Sequence, residues 1–170
     1  IVILVSANNK NARNSPINER IVGFLITQLG ECKDFHFATT PALNLVCNAG
    51  IHPKAGRVLM FLYLSALKLA GYSYGILELA GNYENIKGLC LYNKFGFRED
   101  PSIKAPGCFG DDDYTLPMIA DISDRGISHT QLRLALLEGT PVEYSDQASV
   151  DSIDFEPLCS ERYTKKTFSD

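Results

Sequence analysis

No two cysteines stand at the Cys-x-x-Cys spacing that marks a zinc site or a redox turn. The five present, Cys32, Cys47, Cys90, Cys108 and Cys159, are scattered and odd in number. No disulfide framework is expected from them, and a reducing, intracellular, cytoplasmic home is the simplest expectation. The apolar run from Val58 to Ala70 is too short for a membrane span and is broken by Lys68. No signal-peptide pattern opens the chain. It starts at Ile1 rather than Met, so a fragment or a processed domain is expected. Positive charge is not in excess either. The 16 Lys and Arg against 20 Asp and Glu give a net charge of −4 and a pI near 5.4. That balance argues against a non-specific nucleic-acid binder. It suits a cationic acceptor such as an amine, or merely a soluble surface. No internal repeat is present.

What is there is enough for a core. The chain has 170 residues, 45% of them apolar, which fits one globular domain. Ile1 to Val5 is β-branched and reads as a strand. Ser6 to Glu19 is a polar loop. Ile21 to Leu29 reads as a second strand, and Ala42 to Cys47 as a third, apolar enough to lie centrally in a sheet. These three predict an antiparallel meander. Ala55 to Ala70 predicts a helix apolar on nearly every face, hence buried, with Gly71 as its stop. Tyr74 to Ala80 is the next strand, so a parallel crossover through the helix is expected. Phe97 to Asp100 and Tyr114 to Ile122 form a closing hairpin. Beyond it, Ser128 and Gln131 predict a capping box and a helix to Glu138. From Thr140 no period is sustained, and the end is acidic: a mobile tail or an appendage packed on the sheet. The organisation expected is a core over 1–122 and a C-terminal helix with an acidic tail over 123–170.

The stretch Asn85 to Phe97, Asn-Ile-Lys-Gly-Leu-Cys-Leu-Tyr-Asn-Lys-Phe-Gly-Phe, organises the rest. Ile86, Leu89 and Cys90 share one face of a short helix. Gly96 sits where a left-handed cap is needed, and Phe97 is the apolar residue that closes it. Gly88 lies inside the helix, where glycine costs about 0.5–1 kcal/mol against alanine, so a close approach to the backbone is expected there.

Asn85, Gly88, Leu91, Tyr92, Lys94, Gly96 and Phe97 together resemble the signature of the GNAT N-acetyltransferase superfamily, and Val22-Gly23-Phe24 resembles the centre of its third strand. The resemblance covers about residues 1–122. It implies an α+β, three-layer α/β/α fold with a mixed, mostly antiparallel sheet and one parallel β-α-β crossover. The strand and two helices that usually open the family have no counterpart before Ile1. It implies acetyl-CoA as the acyl donor, with its pantetheine arm paired along the strand Asn44 to Cys47, Leu45, Val46 and Cys47 binding it, in a gap between the two parallel strands. The turn through Lys54, Ala55, Gly56, Arg57 and Val58 would carry the pyrophosphate on successive backbone N–H groups. Gly56 matches the last position of the family's turn, whereas Lys54 falls where its first glycine is expected and Ile51 where Gln or Arg would sit. Lys54, Arg57 and His52 would add positive charge. Asn85, Gly88, Tyr92 and Lys94 complete the expected cofactor contacts.

Two residues carry the expected chemistry. Tyr92 matches the general acid beside the cofactor sulfur; the alternative is a tyrosine packed between helix and sheet. Glu78, a carboxylate inside an apolar strand, matches the general base of the ribosomal-protein acetyltransferases, though its spacing to Tyr92 is two residues longer; the alternative is a solvated edge glutamate. A backbone N–H near Val46 or Cys47 would stabilise the oxyanion. Cys47 and Cys90 read as small core fillers, and Asp111 to Asp113 as a solvated turn rather than a metal site. The expected function is direct acetyl transfer to a primary amine of a protein, a small molecule or a polyamine, with no nucleic-acid or membrane partner. The rival is a degenerate module of the same fold that holds coenzyme A or a protein partner without turnover.

Overall fold

The computed structural model describes residues 2–6, 21–29, 40–48, 54–100, 114–144 and 159. In chain order these form β1 (Val2–Ser6), β2 (Ile21–Leu29), β3 (Pro41–Asn48), α1 (Ala55–Leu69), β4 (Tyr74–Ala80), a 3-10 turn (Asn82–Glu84), α2 (Ile86–Lys94), β5 (Arg98–Glu99), β6 (Thr115–Asp121) and α3 (His129–Leu137). The strands form one sheet in the order β1-β2-β3-β4-β6-β5. The expected meander is present: β1 pairs β2 and β2 pairs β3, both antiparallel. The expected crossover is present too, since β3 and β4, joined through α1, are parallel. β6 inserts between β4 and β5 and is antiparallel to both. The fold is mixed α+β.

Alternation along β4 explains the two faces. Leu77 and Leu79 point to one side and Ile76 to the other. The first side meets Leu59, Met60, Tyr63, Leu64 and Leu67 of α1, Leu89 of α2, and Leu132 and Ala135 of α3 in a single apolar cluster. All three described helices thus share one face. The second helical layer of the expected three-layer arrangement is not among the described residues. α1 also corrects an expectation. It is not buried all round: its buried residues form one stripe, while Leu62 and Leu69 are exposed, Leu69 at 81%.

Helix ends follow local rules. At nine residues α2 is too short to hold itself in water. Burying Leu89 contributes about 1.5–3 kcal/mol, and its termini are closed at both ends. Asn85 Oδ1 accepts the Gly88 N–H at 3.1 Å. At the other end Gly96, at φ 82°, lets its own N–H reach Asn93 C=O at 2.8 Å and the Phe97 N–H reach Tyr92 C=O at 3.1 Å. This is the double-bonded left-handed stop expected at Gly96. α3 opens on the expected capping box: Gln131 N–H donates to Ser128 Oγ at 3.2 Å, and Ser128 N–H donates to Gln131 Oε1 at 2.9 Å.

Residues 123–144 belong to the same core, because Ile127, Leu132, Ala135 and Val142 join the main cluster. Residues 141–144 are docked. The Val142 N–H donates to Lys94 C=O at 3.0 Å, the Tyr144 hydroxyl donates to Gly96 C=O at 2.6 Å, and Arg98 lies 4.3 Å over the Tyr144 ring. The cysteine expectation is corrected as well. Cys90 and Cys159 form a disulfide that closes a span of 69 residues, so the scattered spacing concealed a pair and the ground for expecting a reducing home is gone. Among the described residues no helix is long and apolar enough to cross a membrane.

Candidate functional site

The parallel pair β3 and β4 is joined by one partner pair, Leu43 with Leu77. β3 runs on to Asn48 and β4 to Ala80 without another. The cause is visible one residue past Leu43. Against β2, Leu43 pairs with Thr27 and Leu45 with Ile26, so the register skips Asn44. An extra residue of this kind bends a strand and raises its twist, which turns β3 away from β4 at that point. The result is an opening at the C-terminal ends of the two strands, with Leu43 and Leu77 at its apex.

Backbone direction decides what faces the opening. Gly81 N–H donates to Tyr114 C=O and Ile122 N–H to Ser73 C=O, so the odd-numbered residues of this stretch turn to β6. Ile76, Glu78 and Ala80 therefore turn their backbone groups toward β3. Ala80 C=O accepts the Asn85 side-chain amide at 3.0 Å. Asn85 thus caps α2 and ties off the end of β4 in one side chain. Across the opening, Val46 is half-buried against the main cluster, and Leu45, Val46 and Cys47 pair on their other side with Ile26, Leu25 and Phe24.

Tyr92 comes to the apex by helix geometry. A Cβ on Gly88 would lie 2.7 Å from Leu79 Cδ1, so α2 rests its glycine on β4 there. This is the close approach expected at Gly88, and the group approaching is Leu79. Phe97, just past the helix, reaches Gly75: a Cβ there would lie 3.4 Å from its Cζ. α2 therefore runs back along β4. Four helical residues advance about 6 Å and two strand residues about 6–7 Å. Tyr92, one turn past Gly88 on the same face, comes level with Leu77. Its ring meets Phe97 edge-on at 6.1 Å between centroids. Burial pushes its phenol pKa up, so it stays protonated well into alkaline solution.

The start of α1 offers the backbone N–H groups of Ala55, Gly56 and Arg57. Val58, expected in the same cradle, is already the first intrahelical donor, to Lys54 C=O at 3.0 Å. The Lys54 side chain does not cap this end and no acidic residue stands in its first turn, a setting that favours an anion at the helix dipole. Gly56 is buried, and its missing Cβ is used against α2: a Cβ would lie 3.1 Å from Leu91 Cδ2. Arg57 turns to the end of α3, where a Cβ on Gly139 would lie 2.8 Å from its Nη1. Negative charge at a helix C-terminus favours a cation there. Lys54 is exposed at the turn, and Lys94 is half-buried in the last turn of α2. Ile51 and His52 lie outside the described residues, as does the acidic run Asp111 to Asp113.

Glu78 is half-buried, not the solvated edge residue of the alternative reading, and its Oε1 is shielded from solvent. By alternation it points to the face opposite Leu77 and Leu79, hence opposite Tyr92. The two expected catalytic side chains therefore flank β4 from its two sides. The slip at Asn44 and the bridging hydroxyl of Tyr63 are not foretold by the sequence. The register slip at Asn44 has no local sequence mark, and Tyr63 looked like one more apolar position of α1. No family model matches the chain, and no curated protein matches it.

Proposed function

We propose that this protein is an N-acetyltransferase of GNAT type that moves an acetyl group from acetyl-CoA to a primary amine in a ternary complex. The observation that carries the reading is the single partner pair between β3 and β4, and the helix repeat from Gly88 is what supports putting Tyr92 near its height. An acyl-thioester chain fits such a gap as an added strand would, bonding to backbone that the sheet does not use. The first-turn N–H groups of α1 supply an anion site beside it.

In this reading the amine nitrogen attacks the thioester carbonyl, the new C–N bond forms, and the C–S bond breaks. Glu78, from one face of β4, takes the proton the amine loses. Tyr92, from the other, gives a proton to the departing thiolate. Burial keeps the phenol protonated and ready to donate at neutral pH, but leaves it a weaker acid than a free thiol, which titrates near about 8.5, so breaking of the C–S bond rather than acid strength drives the transfer. Having acid and base on opposite faces keeps them from exchanging the proton directly and lets acceptor and donor enter from different sides. The net acidic charge favours a cationic acceptor such as a polyamine or a protein amine.

A second reading is favoured by one observation. Arg57 is engaged at the end of α3, and Lys54 stands where the family's turn has glycine, so the pyrophosphate site is altered. That fits a module which holds coenzyme A without turnover. Calorimetric titration with acetyl-CoA, followed by thiol-release assays with spermidine and with a peptide amine, separates the readings. Binding with release supports the transferase, binding without release supports the module, and no heat at high micromolar acetyl-CoA overturns both.

A further inference from the structure

Tyr63 is 2% exposed and sits in the middle of α1, yet it carries the most connected hydroxyl near the cleft. Its oxygen lies 2.8 Å from Pro41 C=O on β3 and 3.0 Å from Ile76 C=O on β4, either of which takes its one proton, and it accepts the Ile76 N–H at 3.3 Å. The phenol therefore bridges both parallel strands on the closed side of the Leu43–Leu77 pair.

The same helix reaches the open side. Gly56 lies seven residues before Tyr63, two turns away on the same stripe and about 10 Å along the axis. There it packs on Leu91, the neighbour of Tyr92. A rigid chain of contacts thus runs from the strand junction through Tyr63, along α1, across Gly56 to Leu91, and into the helix that carries Tyr92. Beside the one ladder pair between β3 and β4, the phenol bridge is a second link that bears on the angle between them.

We propose that Tyr63 is the positioning residue of the cleft: its hydroxyl splints β3 to β4 at the closed end and so fixes the width of the open end and the placement of α1 and α2 beside it. The role in catalysis rests on the acetyltransferase reading; the role in setting the cleft does not. Tyr63→Phe removes one oxygen and keeps the ring. In backbone amide hydrogen exchange, Ile76 loses protection in any case because it loses its acceptor. The proposal requires more: the bonded amides of Gly81, at the end of β4, and Leu89, in α2, exchange faster by about tenfold or more. Faster exchange confined to Ile76 and its immediate neighbours overturns it. If acetyl-CoA binds the wild type, the variant binds it about tenfold or more weakly at unchanged Tyr92, and equal affinity overturns the proposal. If acetyl-CoA does not bind the wild type, the transferase reading falls and the exchange pattern alone decides on Tyr63. Should Tyr63→Phe fail to fold, 3-fluorotyrosine at position 63 keeps every contact while altering the hydroxyl; changes in exchange at Gly81 and Leu89 then support the proposal, and none overturns it.

Discussion

Leu43 on β3 and Leu77 on β4 are the one partner pair that joins the two parallel strands, and the register of β3 skips a residue immediately after it. Everything placed around the opening follows from that pair. Asn85 closes off the end of β4, Gly88 seats α2 on Leu79, and the helix repeat brings Tyr92 level with Leu77. A sheet whose parallel strands paired to their ends would have no room for a ligand backbone and no use for a phenol at that height.

If Tyr92 donates the proton to the leaving thiolate, Tyr92→Phe lowers kcat by about a hundredfold and leaves the acetyl-CoA Kd within a factor of two or so, since the ring still packs on Phe97. Equal losses of turnover and affinity would make the tyrosine a packing residue. Glu78→Gln lowers kcat/KM by a similar factor at neutral pH, and less at high pH, where the amine loses its proton to solvent.

Gly96→Ala destabilises the protein by about 2 kcal/mol. The backbone there is left-handed, and an added Cβ would lie 2.5 Å from Ile127 Cδ1 and 3.2 Å from the Tyr144 hydroxyl. The urea midpoint measures it. An unchanged midpoint would mean that α2 does not end in the double-bonded stop.

The buried phenols give the stability a pH dependence at the alkaline end. Burial pushes Tyr144 up to about 12, against the lowering effects of its bond from Asp121 N–H and the Arg98 charge. Burial raises Tyr63 and Tyr92 in the same direction. Each raised group keeps its proton in the native state at a pH where the unfolded chain loses it. The stabilisation is therefore full below the ordinary tyrosine value of 10.0 and is lost as pH rises through about 12. Urea midpoints taken from neutral pH upward are flat until about pH 10 and then fall, and Tyr144→Phe makes the fall shallower. A fall that begins near neutrality would contradict this assignment.

Closing a span of 69 residues, the Cys90–Cys159 bond limits the unfolded chain and contributes about 2–4 kcal/mol. Cys159→Ser and a reducing agent should each lower the unfolding free energy read from the urea transition by that much, and the reducing agent should do nothing further to the variant. Free thiols at both cysteines in the air-oxidised protein, with equal midpoints, would show that the pair does not form.

Much of the frame was legible in the residues because its signals are local. β2 and β4 fall on the expected bounds, and the caps at Asn85, Gly96 and Ser128 are each written in adjacent side chains. What was not legible depends on distant partners. The Asn44 slip is a matter of register against β2, and the Tyr63 bridge requires knowing where Pro41 and Ile76 end up. The disulfide joins residues 69 apart with no spacing motif. Gly56 read as a phosphate-turn glycine, and its close contact is a neighbouring leucine. Arg57 read as a charge at the turn and faces the end of another helix. Pattern alone cannot tell a small residue needed by a ligand from one needed by packing.

The most direct test is a crystal structure of the protein with acetyl-CoA. The account predicts the pantetheine arm between β3 and β4 beyond Leu43 and Leu77, with its sulfur within hydrogen-bonding reach of the Tyr92 hydroxyl. A bound cofactor elsewhere on the surface, or the two strands closed on each other past that pair with the phenol turned aside, would contradict it.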